Sequence, residues 1–268
     1  MKPFISRIRI YPIKSLDPVE LQVSEVGLHS LRYDREFAML TQDGEFMNGK
    51  KSGRVNELKA DYDIAKYRVS FSDRLGGPSQ SFHLLNDKLE AEKYLSSFFK
   101  EPIFLVQNKE GKLMDIPTVS SVTIVSEASL QSLHKEFPHL TLENIRLRFR
   151  ATIEIGGVEP YWEENLIGLP GNGVKLTIGE VEMIGISPRA RCNVPPRDPL
   201  SGIPDKTFAK RMIFSRENSL PANSPLPAYG SLYHLTINTY VAESQRGKTL
   251  RVGDEINVIE PLTHESLQ

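Results

Sequence analysis

The lone cysteine of this 268-residue chain, Cys192, lies in Ser187-Pro188-Arg189-Ala190-Arg191-Cys192-Asn193. Two cations beside a thiol favour the thiolate, the form that attacks electrophiles and binds soft metals. The competing reading is a small buried hydrophobe. A second group is Arg146-Leu147-Arg148-Phe149-Arg150-Ala151-Thr152-Ile153, whose period of two predicts a strand with Arg146, Arg148, Arg150 and Thr152 on one face. Guanidinium forks with a hydroxyl among them suit a phosphate, whereas a charged edge strand is the plainer alternative. A third group is Tyr11-Pro12-Ile13-Lys14-Ser15, followed by Asp34-Arg35. A lysine and a serine in a turn give phosphate a point charge and a donor, although the same letters also describe a strand exit and a surface ion pair.

Other chemistries find less support. Tyr161-Trp162-Glu163-Glu164 sets paired acids beside aromatics, but Asn165-Leu166-Ile167-Gly168 after it reads as a structural loop. His29, His83, His134, His139, His234 and His264 show no His-x-x-x-His spacing, which speaks against zinc. There is no Gly-x-Gly-x-x-Gly and no Walker A loop, so the familiar nucleotide signatures are missing. Lys+Arg 33 against Asp+Glu 34 leaves a net charge of -1, which gives no reason to expect nucleic acid or acidic lipid as partner. One cysteine cannot form an internal disulfide, and no apolar run of about 18 residues exists to span a bilayer. Met1 to Ser15 reads as a first strand rather than a secretory signal. The expectation is a reduced, soluble, cytoplasmic protein with no membrane partner.

The elements that must position these residues are mainly β. Phe4 to Ile10 and Val19 to Val26 alternate as half-buried strands, and Asp43-Gly44 between apolar runs predicts a tight hairpin. Asp87 to Lys100 has helical spacing, with Asn86 or Asp87 as N-cap and Pro102 beyond; Ser126 opens a second helical pattern ending at Pro138. Strands are predicted again over Arg146 to Ile155, Val174 to Ile178, Val181 to Ile186, Tyr233 to Tyr240 and Leu250 to Ile259. They imply a closed or nearly closed antiparallel barrel. Residues 187–230, interrupted by eight prolines, read as a long functional loop with a helix at most over Lys206 to Phe214.

Taken in order, Tyr11-Pro12-Ile13-Lys14-Ser15, Asp34-Arg35, Ser126-Glu127-Ala128-Ser129-Leu130, Phe149-Arg150-x-x-Ile153, Trp162-Glu163-Glu164, Ile167-Gly168, Arg191-Cys192, Asp198-Pro199-x-x-Gly202 and Val252-Gly253-Asp254 resemble the MOSC family. The resemblance spans nearly the whole chain. It implies an N-terminal MOSC β-barrel domain over 1–110 packed with an antiparallel β-barrel MOSC domain over 111–268, as in amidoxime reducing components and their bacterial relatives. It further implies the molybdenum cofactor, molybdopterin-bound molybdenum, with Cys192 as metal ligand and Arg191 beside it. Lys14, Ser15, Arg35 and Arg150 are then expected at the pterin phosphate and polar edges. Lys50, Arg148 and Thr152 complete the expected cofactor-binding set. The expected activity is reduction of small N-hydroxylated or N-oxide substrates, with no role for pyridoxal phosphate. Cys192 tunes the metal there, and Asp198 is a candidate proton relay that also suits a turn.

No four-cysteine set is present, so electrons are expected from a separate ferredoxin-, flavodoxin- or cytochrome-type protein. The sequence departs from the amidoxime reducers where they read Phe-Arg-Pro-Asn and Ser-Arg-Cys. Here stand Phe149-Arg150-Ala151-Thr152 and Ala190-Arg191-Cys192, with Pro195-Pro196 downstream. The alternative from another class is a carrier of molybdenum cofactor or of sulfur, with Cys192 bearing a persulfide.

Overall fold

The computed structural model describes residues 2–28, 30–110, 113 and 122–263. The first half contains β1 (Phe4–Ile10), β2 (Val19–Leu21), β3 (Val23–Glu25), β4 (Phe37–Thr41), β5 (Leu58–Asp63), β6 (Arg68–Asp73), β7 (Gln80–His83), helix α1 (Lys88–Phe99) and β8 (Ile103–Gln107). The second half contains β9 (Thr123–Ser126), α2 (Glu127–Glu136), α3 (Leu142–Phe149), β10 (Ile153–Gly156), β11 (Gly173–Ile178), β12 (Val181–Ala190), α4 (Phe208–Ser219), β13 (His234–Tyr240), β14 (Thr249–Arg251) and β15 (Ile256–Leu262). The chain is mainly β, with helices laid on its sheets. The expected boundary at 110/111 falls beside 111–121, of which only Leu113 is described, and His29 and His264 also lie outside the described residues.

The largest sheet has eight strands in the order β15-β11-β12-β13-β9-β10-β1-β2. All its pairs are antiparallel except β9 with β10, which run parallel and are joined through α2 and α3. The bridge Phe4↔Glu255 and the bond from Ile256 N to Pro3 O (2.9 Å) bring β1 beside the start of β15. The sheet therefore curls back on itself without a full closing ladder. β1 comes from the first half but lies in this sheet, because Ile5, Ile8 and Ile10 are fully buried against Ile153, Ile155 and Ile237. Full burial of each such side chain is worth roughly 1.5–3 kcal/mol.

A second core joins β4 and β8 to the β5-β6-β7 meander and to α1, through Met39, Phe71, Phe82, Leu95 and Leu105. The hairpin at Asp43-Gly44 is present, with Gly44 at φ 75, but its return arm shrinks to the bridge Leu40↔Phe46. β4 spends its ladder on β8 instead. A third core lies beneath α2, α3 and α4, where Phe137 and Phe208 stack with centroids 4.5 Å apart.

Four expectations need correction. Residues 142–149 form a helix, so the predicted strand over Arg146 to Ile155 begins only at Ile153. The signal was Thr141, whose hydroxyl accepts from Asn144 N (3.0 Å), followed by apolar Leu142, Ile145 and Phe149 at helical spacing. The alternating arginines concealed it. Next, the predicted strand Leu250 to Ile259 is cut by a turn with Gly253 at φ 96. Third, β12 continues to Ala190, so Arg189 lies within a strand and the irregular loop starts at Arg191. α4 runs to Ser219, beyond the single helix expected near Lys206 to Phe214.

Candidate functional site

A cavity of about 330 Å³ opens where four pieces of chain meet: the exit of β1, the turn after Asp34, the end of α3 and the end of β12. Its walls carry Lys14, Arg35, Lys50, Arg74, Arg148, Arg150, Arg189, Arg191 and Arg197, with Asp17 the one carboxylate among the described lining residues. Ser15 and Cys192 line it too, and Cys192 is exposed. Size and lining suit a small anionic ligand.

Short backbone pairings place the first cations. Lys14 N donates to Phe37 O (2.8 Å) and Arg35 N to Tyr11 O (2.9 Å), so the Tyr11–Ser15 segment lies against Arg35 and Phe37. Ser15, Arg35 and Arg150 have positive φ, at 74, 50 and 55. Non-glycine residues pay strain for that conformation, and such strain concentrates at sites that use it. Lys14 Nζ lies over the Phe46 ring, 4.1 Å from its centroid, and donates to Leu113 O (2.8 Å).

The end of α3 gathers the guanidinium groups. Arg150 caps this helix, its N–H donating to Arg146 O (2.9 Å). The last carbonyls stay open and carry the negative end of the helix dipole. Arg191 Nη2 donates to Phe149 O (3.1 Å) and Arg35 Nη2 to Arg150 O (3.2 Å), while Arg150 Nη2 reaches Leu16 O (2.8 Å). Tyr11, fully buried, lies beneath two of them: Arg35 and Arg150 sit 4.4 and 4.0 Å from its ring centroid. Asp34, buried, accepts from Arg35 at 2.6 Å and from Tyr11 N at 2.9 Å.

The site is short of negative charge. Burial, and then the neighbouring Arg189, push the Arg191 guanidinium down to about 9; burial pushes Arg150 down as well, and Arg35 adds to it. A guanidinium keeps its proton in proteins, so the push reports first the cost of burying these charges and second their mutual repulsion, and a bound anion would offset both. Among the described residues, Arg191 Nε and Arg197 Nε are buried without a hydrogen-bond partner. An orphaned donor costs about 1–3 kcal/mol until an acceptor reaches it. A cationic cavity with an exposed thiol at its wall fits a ligand that joins phosphate, polar edges and a soft metal.

The structure therefore brings together Lys14, Ser15, Arg35, Lys50, Arg148, Arg150, Arg191 and Cys192. It leaves out two residues of the expected set. Thr152 is buried, its Oγ1 3.1 Å from Thr123 Oγ1, because β9 and β10 claim it as a cross-strand pair. Asp198 forms a turn: its carboxylate accepts from Asn144 Nδ2 (2.9 Å), Leu200 N (3.0 Å) and Ser201 N (2.9 Å). Burial raises its pKa, but these bonds outweigh burial and hold it below the ordinary value, which suits a fixed carboxylate and not a proton relay.

Arg148 lines the cavity but already donates to Asn144 Oδ1 (2.7 Å), Pro195 O (2.7 Å) and Arg197 O (2.9 Å), so it clamps the loop after Cys192. Arg146 turns the other way, to Glu154 (2.9 Å). The acids of Trp162-Glu163-Glu164 are structural: Glu163 accepts from Ser129 Oγ (2.9 Å), and Glu164 pairs with buried Arg216. Arg74 and Arg197 were missed as site residues, since each stands alone in sequence and only tertiary folding supplies its neighbours. Tyr11 was available inside its motif, but nothing in the sequence marked it as a platform.

Among the described residues no helix is long and apolar enough to cross a membrane. Two family models match, the MOSC N-terminal beta barrel domain over residues 2–100 and the MOSC domain over residues 111–257. The mitochondrial amidoxime reducing component 2 of Bos taurus is 27% identical over 94% of this chain and 82% of its own length. The molybdenum cofactor sulfurase of Homo sapiens is 22% identical over 81% of this chain, which spans only 29% of that protein. Among solved structures, the YuaD protein from Bacillus subtilis aligns over 96% of both chains with a TM-score of 0.42 and 11% identity. With the MOSC model covering more than half its length, the chain belongs to the MOSC family.

Proposed function

We propose that this chain binds a molybdenum cofactor and reduces N-hydroxylated or N-oxide compounds with electrons from a separate ferredoxin-, flavodoxin- or cytochrome-type donor. The observation that carries this reading is the exposed Cys192 on the wall of a cavity built from arginines and lysines, a soft ligand beside a grip for a dianion. Lys14, Ser15, Arg35 and Arg150 would hold the phosphate end, Arg191 a polar edge, and Cys192 the metal. When bound, the cofactor supplies the two-electron redox chemistry.

The protein's own contribution is placement. Tyr11 and the end of α3 fix the guanidinium groups, Arg148 holds the loop after Cys192, and Lys50 borders the cavity from the first half of the chain. Overall, an amidoxime takes up two electrons and two protons, its N–O bond breaks, and an amidine and water leave. The similarity to an amidoxime reducing component over most of both chains supports this substrate class.

A carrier of sulfur or cofactor is the second reading, favoured by the exposed sulfur and by the similarity to molybdenum cofactor sulfurases. Protein purified from a host that makes the cofactor should hold close to one molybdenum and one pterin per chain and reduce benzamidoxime with a chemical donor. Cys192→Ala should lose metal and activity, while its cofactor-free form unfolds within about 0.5 kcal/mol of the cofactor-free wild type, since the residue is exposed. Fully loaded protein without reductase activity would defeat the reading. Metal-free wild type that takes up sulfane sulfur on Cys192 would favour the carrier.

A further inference from the structure

Two segments far apart in sequence meet beside the cavity. Gly53 and Gly202 touch so closely that a Cβ on Gly202 would lie 2.3 Å from Gly53 O. On either side of that contact, Asn48, Gly49 and Lys50 from one segment and Arg197 and Pro199 from the other line the cavity. Residues 48–54 and 197–211 together contain seven Lys or Arg and two Asp, in a chain whose total is 33 against 34. Both acids are engaged, Asp198 with Asn144 (2.9 Å) and Asp205 with the Thr207 hydroxyl (2.7 Å). Within this cationic border Leu200 is 47% exposed and Ile203 68%. Large apolar side chains held in water inside a rim of net positive charge have the make-up of a recognition surface.

Resting on the reductase reading above, we infer that the Leu200–Ile203 turn, with Lys206 and Lys210 beside it, is the docking surface of an acidic electron-donor protein. Charge complementarity selects the partner, because a cationic rim steers an acidic protein to this surface and repels a basic one. A small apolar centre suits the brief, weak contact that repeated electron delivery needs. The surface borders the cavity that holds Cys192, so a docked donor would stand beside the site it serves.

The test uses the cofactor-loaded protein reducing benzamidoxime with two donors, reduced methyl viologen and a reduced acidic [2Fe–2S] ferredoxin. Leu200→Ser with Ile203→Ser, and separately Lys206→Glu with Lys210→Glu, should leave viologen-driven turnover within about two-fold, since none of the four lines the cavity. The ferredoxin KM should rise on the order of ten-fold in each pair, and for wild type it should rise as salt goes from about 50 to about 500 mM. Equal ferredoxin kinetics in wild type and variants would overturn the inference, as would a wild type that turns over viologen but binds no ferredoxin. Failure of both donors with loaded wild type strikes the reductase reading instead. Direct titration of oxidised ferredoxin against wild type and variants then still decides the surface.

Discussion

Tyr11 sits fully buried beneath Arg35 and Arg150, whose guanidinium carbons lie 4.4 and 4.0 Å from its ring centroid. Burial holds its phenol above the ordinary pKa, so it brings no charge, and its hydroxyl has no hydrogen-bond partner among the described residues. Tyr11→Phe keeps both ring contacts and deletes an orphaned polar atom; cofactor-free protein should be as stable as wild type or more stable by up to about 1 kcal/mol. Tyr11→Leu removes two contacts worth about 1–2 kcal/mol each when desolvated, and leaves a void adding about 1–2 kcal/mol more. The expected loss is on the order of 3–6 kcal/mol. Arg35 and Arg150 would keep their carbonyl tethers at 3.2 and 2.8 Å but lose their platform, so anion retention should fall about ten-fold or more in Leu and not in Phe. Urea unfolding with and without inorganic phosphate reads the first effect, and molybdenum and pterin per purified chain read the second. A Leu variant within about 1 kcal/mol of the Phe variant, with equal retention, would refute the platform.

Lys14→Ala and Arg150→Ala should each lower cofactor retention on the order of ten-fold through lost charge-assisted bonds; unchanged metal content in both would remove the phosphate site from these residues. Gly202→Ala places a Cβ 2.3 Å from Gly53 O at a residue with φ 71. It should cost roughly 2 kcal/mol or more and expose residues 193–205 to protease, with limited proteolysis as the readout. Glu163 is buried, and burial pushes its carboxyl up to about 7 despite bonds from Ser129 and Ser126. An acid raised in the folded state binds its proton there at a pH where the unfolded chain has released it. Its stabilising effect is therefore full below the unfolded value of 4.5 and is lost as pH climbs to about 7, a change of about 3 kcal/mol. Glu163→Gln should flatten the stability profile across that window; a profile as steep as wild type would assign the slope to other groups.

The site was legible wherever one residue type had to appear in one short motif. Lys14 and Ser15 follow a strand, Arg35 follows an acid, and Cys192 follows an arginine, so chemistry and order together found them without coordinates. The fold was legible to the same depth, since alternation gave β1 and β11 to β13, and Ser126 gave the start of α2. What failed was direction. Arg146 to Ile153 writes the same alternation whether the backbone is extended or coiled, and period two promised four side chains on one face. The helix sends Arg146 to Glu154, Arg148 to the loop carbonyls and Arg150 into the cavity, while Thr152 pairs with Thr123 inside the sheet.

That one element also hid the cause of the site. Only a helix ending at Phe149 presents open carbonyls there, and those carbonyls collect Arg191 and Arg35 from two other parts of the chain. A strand over the same residues would have spent its carbonyls on a neighbouring ladder and left the guanidinium groups to repel one another. The positive φ of Arg150 stops the helix at that point, so a single strained residue decides both where the cations gather and which of them faces the cavity.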